Sequence, residues 1–344
     1  MNVELRECCL RLRSPLRTAN GTITDRRVIG LRISDGAHAG LGEASPLPGW
    51  TEPYGRCLRE LSGLDADRMQ THHLPRDRPA ARHGVQLAMA DLAARRVDTP
   101  LARYLRPDAP LSIPLNATIG AITESDAVAA ACRAVRAGFP AVKCKVGTDS
   151  IDADVSRACA VREAIGDEVD LRLDANRAWT PGEASEGLDR LAAADPAYVE
   201  EPIRSPDRDT LASLAARDVP LAADETINAD ERSVRDLARA IDVVVIKPMS
   251  IGGLDRALSV ARTARSHGLE PVISGTIDGI VGRTAAMHLA AAVTPDVPAG
   301  LATAGRIDDE PGYDPVTIED GHAVLPATPG LGTSAPWDES EVRP

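Results

Sequence analysis

The chain has 344 residues, enough for one large domain or two smaller ones, and 43% of them are apolar. Aromatic residues make up only 2%, so any core must be aliphatic. With 39 basic against 51 acidic residues the formal charge is −12, which argues against nucleic acid or an anionic membrane surface as a partner.

The chain opens MNVELRECCLRLR, with no apolar stretch after its charges. No secretory signal or membrane span is expected, and the protein is read as cytoplasmic. NVELRECCLRLRS and RRVIGLRISDG read as antiparallel strands split by a turn-rich segment near PLRTANGT. LGEASPLPGWTEPYG reads as a Gly/Pro-rich loop, and ARHGVQLAMADLAARR as a helix. Residues 1–110 are therefore expected to form an α+β unit. From residue 111 short β-branched runs alternate with Ala/Arg/Glu/Leu-rich helical stretches. The runs are 111–119, 140–146, 169–175, 197–201, 219–225, 242–247, 270–276 and a weaker PAGLAT at 298–303. Strand then helix, eight times, predicts an α/β fold: a (β/α)8 TIM-like barrel over 111–308 with the N-terminal α+β unit as a cap. A doubly wound open sheet would usually carry G-x-G-x-x-G after its first strand, and the sequence has none. The tail, 309–344, is rich in Asp, Gly and Pro and is expected to return in part to the cap.

The six cysteines show no C-x-x-C pairing, so free thiols are expected. His72, His73, His83 and His267 form no metal-binding pattern. Lysine is nearly absent. Only Lys143, Lys145 and Lys247 occur, all in apolar β-branched runs where a buried ammonium is costly. Arginine cannot stand in for a lysine that must release its proton, so these three read as acid/base groups. The arginine-rich acidic surface left over predicts adaptation to a salt-rich cytosol. Unfolding on removal of molar salt would bear that out, and full stability in dilute buffer would refute it.

Polar residues recur at the C-terminal ends of the runs, where barrel active sites lie. Lys143 and Lys145 fall on one face of their run and Cys144 on the other. Arg172, Asp174 and Asn176 follow, then Glu200 and Glu201, Asp224 and Glu225, Lys247, and finally Ser274, Gly275 and Thr276. From Lys145 the steps are 29, 26, 24 and 23 residues, each about one βα unit. Acids at three successive strand ends would repel one another unless a divalent cation joined them, and hard oxygens favour Mg²⁺ or Mn²⁺. Helix capping by Asp and Glu explains one or two such acids, not three in a row flanked by the only lysines.

The motifs K-x-K, L-D-A-N, E-E-P, A-D-E and I-K-P, in this order and spacing, resemble the muconate-lactonizing branch of the enolase superfamily along essentially the whole chain. The resemblance implies Asp174, Glu200 and Asp224 as metal ligands and Lys145 and Lys247 as an acid/base pair on opposite faces of a carboxylate substrate. Lys143 would hold down the pKa of Lys145. Asn176 and Glu225 would orient the ligands from behind, and Glu201 is not assigned to the metal.

Within the branch the sequence is most similar to the o-succinylbenzoate synthase family, through GEASPLPGW (42–50), Arg172 two residues before the metal Asp, and IKPMSIGG with ISGTIDGIVG. The implied reaction is a syn dehydration of 2-succinyl-6-hydroxy-2,4-cyclohexadiene-1-carboxylate through an enediolate, in menaquinone biosynthesis. Arg172, Ser274, Thr276 and Pro48 would contact the substrate. Asp278, in SGTIDGIVG, departs from the family pattern. The alternative is 1,1-proton transfer by a dipeptide epimerase or N-succinylamino acid racemase, followed by muconate cycloisomerase, and outside catalysis a metal-binding barrel without activity. A dipeptide epimerase would want an acid near the eighth run to hold the substrate ammonium, a place Asp308 and Asp309 could fill.

Overall fold

The computed structural model describes residues 1–18, 21–64, 74–204, 208–227 and 231–337. His72 and His73 lie outside the described residues. The N-terminal unit begins with a long antiparallel pair, β1 (Asn2–Thr18) and β2 (Gly21–Ser34), extended by β3 (Ala39–Ala44). The segment expected to be turn-rich near PLRTANGT is thus mostly strand. Its irregularity shrinks to a shift of register between Arg11 and Leu16, around Pro15, which has no N–H to give to a ladder.

The last four residues of β3, Leu41 to Ala44, open the stretch LGEASPLPGWTEPYG that reads as a Gly/Pro-rich loop, and the structure makes them strand. Helix packing dictates the composition of β3. After α1 (Tyr54–Ser62), helix α2 (Pro79–Arg96) lies directly on β3. A Cβ on Gly40 would come within 2.1 Å of the Ala88 carbonyl oxygen, and one on Gly42 within 2.0 Å of that of Gly84. Only glycine permits this approach.

A short α3 (Leu101–Leu105) and β4 (Ser112–Pro114) lead into the second unit. Strand and helix then alternate: β5 (Asn116–Ile119), α4 (Glu124–Arg136), β6 (Ala141–Lys145), α5 (Ile151–Ile165), β7 (Asp170–Asp174), α6 (Pro181–Leu191), β8 (Tyr198–Glu200), α7 (Arg208–Ala215) and β9 (Leu221–Ala223). They continue with α8 (Glu231–Leu237), β10 (Val243–Ile246), α9 (Pro248–Ile251), α10 (Leu254–Ser266), β11 (Glu270–Ile273) and α11 (Ile280–Val293). The hydroxyls of Thr123, Ser150 and Thr180 accept from the third backbone N–H of α4, α5 and α6, which starts each helix soon after its strand.

The seven parallel strands run in sequence order from β5 to β11. Ala299 and Gly300 close the ring by bridging to Leu115 and Ser274, with Asn116 N–H donating to Ala299 (2.9 Å) and Gly300 N–H to Ile273 (2.9 Å). The expected eighth run therefore contracts to two residues; a Cβ on Gly300 would meet the Ser274 hydroxyl at 2.7 Å. The architecture is a TIM-like barrel with an N-terminal cap.

Aliphatic side chains fill the space between strands and helices, and each fully buried Leu or Val contributes about 1.5–3 kcal/mol relative to exposure. All six cysteines are unpaired. Among the described residues no helix is long and apolar enough to cross a membrane.

The C-terminal segment returns to both units. β12 (Ile307–Asp309) joins the edge of β1, so the boundary expected at 308/309 falls inside a strand. β13 (Thr317–Glu319) pairs with β14 (His322–Val324), and β14 pairs with β4. Asp91 of α2 accepts from Leu331 N–H (2.7 Å) and Leu41 N–H (2.8 Å).

Candidate active site

Parallel register puts Lys145, Asp174 and Glu200 side by side at the ends of β6, β7 and β8. Asp224 and Lys247 follow directly after β9 and β10. The three acids therefore occupy three adjacent strand ends, and the lysines Lys145 and Lys247 flank them on either side.

The charges interlock. Lys143 Nζ reaches Glu200 Oε2 at 2.6 Å and Asp174 Oδ2 at 3.0 Å. Lys145 Nζ donates to Asp174 Oδ2 at 2.7 Å and to Asn176 Oδ1, and Lys247 Nζ pairs with Asp224 Oδ2. Burial works to raise the Asp174 pKa, but the Lys143 and Lys145 ammoniums outweigh it and hold the carboxyl low. Glu200 is pushed up to about 7 by burial and by Asp174, and Asp224 up to about 6 by burial against the pull of Lys247. Burial lowers the pKa of Lys143 and Lys247, yet the facing carboxylates win and keep both ammoniums charged. A base must be neutral; the raised pKa of Lys247 has the facing carboxylates as its cause, and a cation that engaged their oxygens would remove that cause.

Among the described residues no group of three or more His, Cys, Asp or Glu side chains is gathered closely enough to hold a metal ion as it stands. The lysine ammoniums sit among the carboxylates as countercharges instead. The donor chemistry nonetheless suits a hard divalent cation. All three side chains are carboxylates, and Glu200 Oε1 is buried without a hydrogen-bond partner. Glu225 Oε2 is likewise bare, and burial raises the pKa of that carboxyl.

The neighbours of this set are fixed by the backbone. Asn176 N–H donates to Asp174 Oδ1 at 3.0 Å, and both Asn176 and Glu201 have φ of +44°. Glu201 accepts from the N–H groups of Asp224 (2.8 Å) and Thr226 (2.6 Å), from the Thr226 hydroxyl and from Arg177. Its oxygens are engaged in holding the Asp224 turn.

Three sequence expectations need correction. Arg172 is not at the mouth. Its guanidinium donates to the Pro298 carbonyl at 2.6 Å and Asn116 Oδ1 at 3.3 Å and lies over Tyr198, sealing the barrel floor at 1% exposure. Strand alternation explains this: Arg172 shares the inward face with Asp174 but lies one layer deeper. Thr276 is buried, and its hydroxyl donates to Asp278 Oδ1 at 2.6 Å, so Asp278 orders this loop and Thr276 is turned away from a substrate. Asp308 and Asp309 ride out on β12, exposed, with Asp308 3.9 Å from Arg13, so neither serves the eighth strand end.

Ser274 does stand at the mouth, one step beyond the Ile246–Ile273 pair, its hydroxyl 3.3 Å from the Gly300 carbonyl. Pro48 is exposed in the cap loop. Two residues later in that loop, Trp50 lays its ring against Lys247, with Nζ 3.9 Å from the ring centroid. Sequence reading singled out GEASPLPGW but not this contact; Trp50 is one of only three tryptophans, and that scarcity was the available signal. The loop itself is fastened from the cap. Arg26 donates to the carbonyls of Ser45 (2.7 Å), Pro46 (2.9 Å) and Ile277 (3.2 Å), joining it to the loop after β11.

Residues 126–339 match the family model described as enolase C-terminal domain-like. The chain is 30% identical to the hydrophobic dipeptide epimerase of Enterococcus faecalis over 96% of its own length and 98% of that protein's. It is 28% identical to muconate cycloisomerase 1 of Acinetobacter baylyi, over 76% of this chain and 72% of that one. A dipeptide epimerase from Enterococcus faecalis V583, solved with Mg and the dipeptide L-Leu-L-Tyr, superposes with a TM-score of 0.87 at 28% identity, covering 96% of this chain and 98% of the other. These relatives are epimerases and cycloisomerases, so they favour isomerase chemistry over the expected o-succinylbenzoate-forming elimination. By motif order, barrel architecture and these matches, the chain belongs to the enolase superfamily.

Proposed function

We propose that the protein is a racemase or epimerase that removes the α-proton of a carboxylate substrate on one face and returns a proton on the other. The observation that carries this reading is the placement of Lys145 and Lys247 on the strands flanking the three acids. Lys145 takes or gives the proton from the β6 side, and Lys247 does the same from the β10 side. Lys143 remains charged two residues before Lys145 on the same face of β6. Asp174, Glu200 and Asp224 would hold Mg²⁺ or Mn²⁺, which would neutralise the negative charge that develops on the substrate carboxylate. Asn176 and Glu225 orient this set, Ser274 lines the mouth, and Trp50 excludes water from the Lys247 side. Residues 1–110, with part of the tail from Ile307 on, serve as the cap over a barrel that begins at 111.

Elimination to o-succinylbenzoate is the weaker reading. Arg172, one of the three features that suggested it, is part of the barrel floor. The test is α-proton exchange with D2O, followed by NMR, using the full chain with Mg²⁺ and a panel of dipeptides and N-acylated amino acids. Exchange with retention of the carbon skeleton is expected. Rapid aromatisation of the cyclohexadiene substrate with no exchange on the panel would overturn it.

A further inference from the structure

Two residues at the barrel mouth hold a backbone shape that their side chains make costly. Among the described residues seven other than glycine have positive φ, and four of these are Asp or Asn, which tolerate it best. Arg177 (φ +63°) and Glu201 (φ +44°) are two of the remaining three, and they are bonded to each other. Arg177 N–H donates to the Glu201 carbonyl at 2.7 Å, and Arg177 Nε donates to Glu201 Oε2 at 3.1 Å. Glycine would take either shape without strain, so the strain is tied to what the two side chains hold.

They hold three strand ends. Arg177 lies three residues after Asp174, in the loop that leaves β7, and Glu201 directly follows Glu200 at the end of β8. Arg177 Nη2 donates to Thr226 Oγ1 at 3.2 Å. Glu201 accepts from the N–H groups of Asp224 and Thr226 and from the same hydroxyl, so both side chains reach the turn that carries Asp224 after β9. The strand ladder fixes this end weakly. β8 and β9 are three residues long and share two register pairs, Val199–Leu221 and Glu200–Ala222. Glu201 is 2% exposed, and Arg177 is its one ion-pair partner among the described residues. Burying a carboxylate is costly unless it is both paired and hydrogen-bonded.

Building on the reading of Asp174, Glu200 and Asp224 as a divalent-cation site, we propose that Arg177 is a positioning residue which, with Glu201, straps the ends of β7, β8 and β9 together. The backbones that bear the three mutually repelling acids then keep one spacing before a cation arrives. Only side chains have to turn to meet it, which lowers the ordering cost of binding. Arg177 acts through Glu201 and the Asp224 turn and takes no part in moving the proton.

Calorimetric titration of the metal-free full chain with Mg²⁺ makes the test, because it reads binding without turnover. Arg177→Met should weaken Mg²⁺ binding by about 10- to 100-fold, the scale on which the partners of metal ligands act. Arg177→Lys keeps the charge but not the fork that reaches Glu201 and Thr226 together, and should weaken it by about two- to tenfold. Exchange lost by Arg177→Met at limiting Mg²⁺ should be largely recovered in excess Mg²⁺, since the defect lies in affinity. The double variant Arg177→Met/Glu201→Gln should lose much less than the product of the two single losses, because the arginine acts through the carboxylate. Unchanged Mg²⁺ affinity in Arg177→Met overturns the assignment, as do single losses that multiply in the double variant. A loss of exchange that excess Mg²⁺ leaves in place puts Arg177 in the chemistry and overturns it too. Where Arg177→Met does not fold, Arg177→Lys decides, and unaltered Mg²⁺ affinity there overturns the strap. An unaltered protein that binds no Mg²⁺ overturns the cation-site reading itself, and the strap falls with it.

Discussion

The cluster around Glu43 and the cluster around Glu200 are both buried carboxylate sites, but one is saturated and the other is not. Glu43, on β3, accepts from Gly279 N–H (2.7 Å), Gly282 N–H (3.1 Å) and the Ser45 hydroxyl, so it caps α11 from the opposite unit. Asp278 beside it takes both its oxygens' partners from Thr276. At the mouth, Glu200 and Glu225 each keep an oxygen bare. Saturation with backbone donors is what joins two units. A bare oxygen facing lysines is what a ligand site requires.

Four experiments can break or sharpen this contrast. Chelation of divalent cations should abolish exchange outright, and Mg²⁺ at a hundred times its Kd should raise stability by about 2.7 kcal/mol. A melting temperature indifferent to Mg²⁺ would show that the mouth acids hold no ion. Lys145→Arg keeps the charge but cannot act as base, and should cost about 10²- to 10⁴-fold in exchange rate with little change in melting temperature. Near-normal turnover would assign the proton to another group.

Glu43 should show the opposite balance, stability before activity. Its pKa is pushed up to about 7, by burial first and then by Asp278. The native state therefore keeps a proton that the unfolded chain has lost, so stability from this group is full below about pH 4.5 and is lost as pH rises through 7. The loss should be about 3 kcal/mol, and denaturant titrations of Glu43→Gln between pH 5 and 8 should lack it. An unchanged pH slope in the variant would mean that Glu43 is ionised in the native protein. The smallest effect is expected for Trp50→Ala, which removes a ring worth about 0.5–2 kcal/mol to the Lys247 ammonium. Exchange rate is the readout, and a loss like that of Lys145→Arg would make Trp50 part of the chemistry.

The barrel and the central constellation were legible because each step of 23 to 29 residues is one βα unit and because lysine is so scarce. What lay beyond sequence reading depends on depth and partners. Alternation gives Arg172 and Asp174 the same face but does not say which layer is mouth and which is floor. β3 looks like loop because its glycines answer to α2, 42 or more residues away. Asp308 and Asp309 are near the eighth strand in sequence but leave it at once, since Ile307 pairs with Leu12. Glu43 sits in a motif read for its prolines, and its role is set by α11, more than two hundred residues later.

The return of the tail bears on how the protein is made. β1 gains its outer neighbour only from residues 307–309, Asp91 is completed by Leu331 N–H, and the Arg6 side chain reaches the Pro336 carbonyl. Glu43 itself waits for Gly279 and Gly282. The first unit to leave the ribosome is thus among the last to be finished, and nearly the whole chain must emerge before the N-terminal sheet has all its partners.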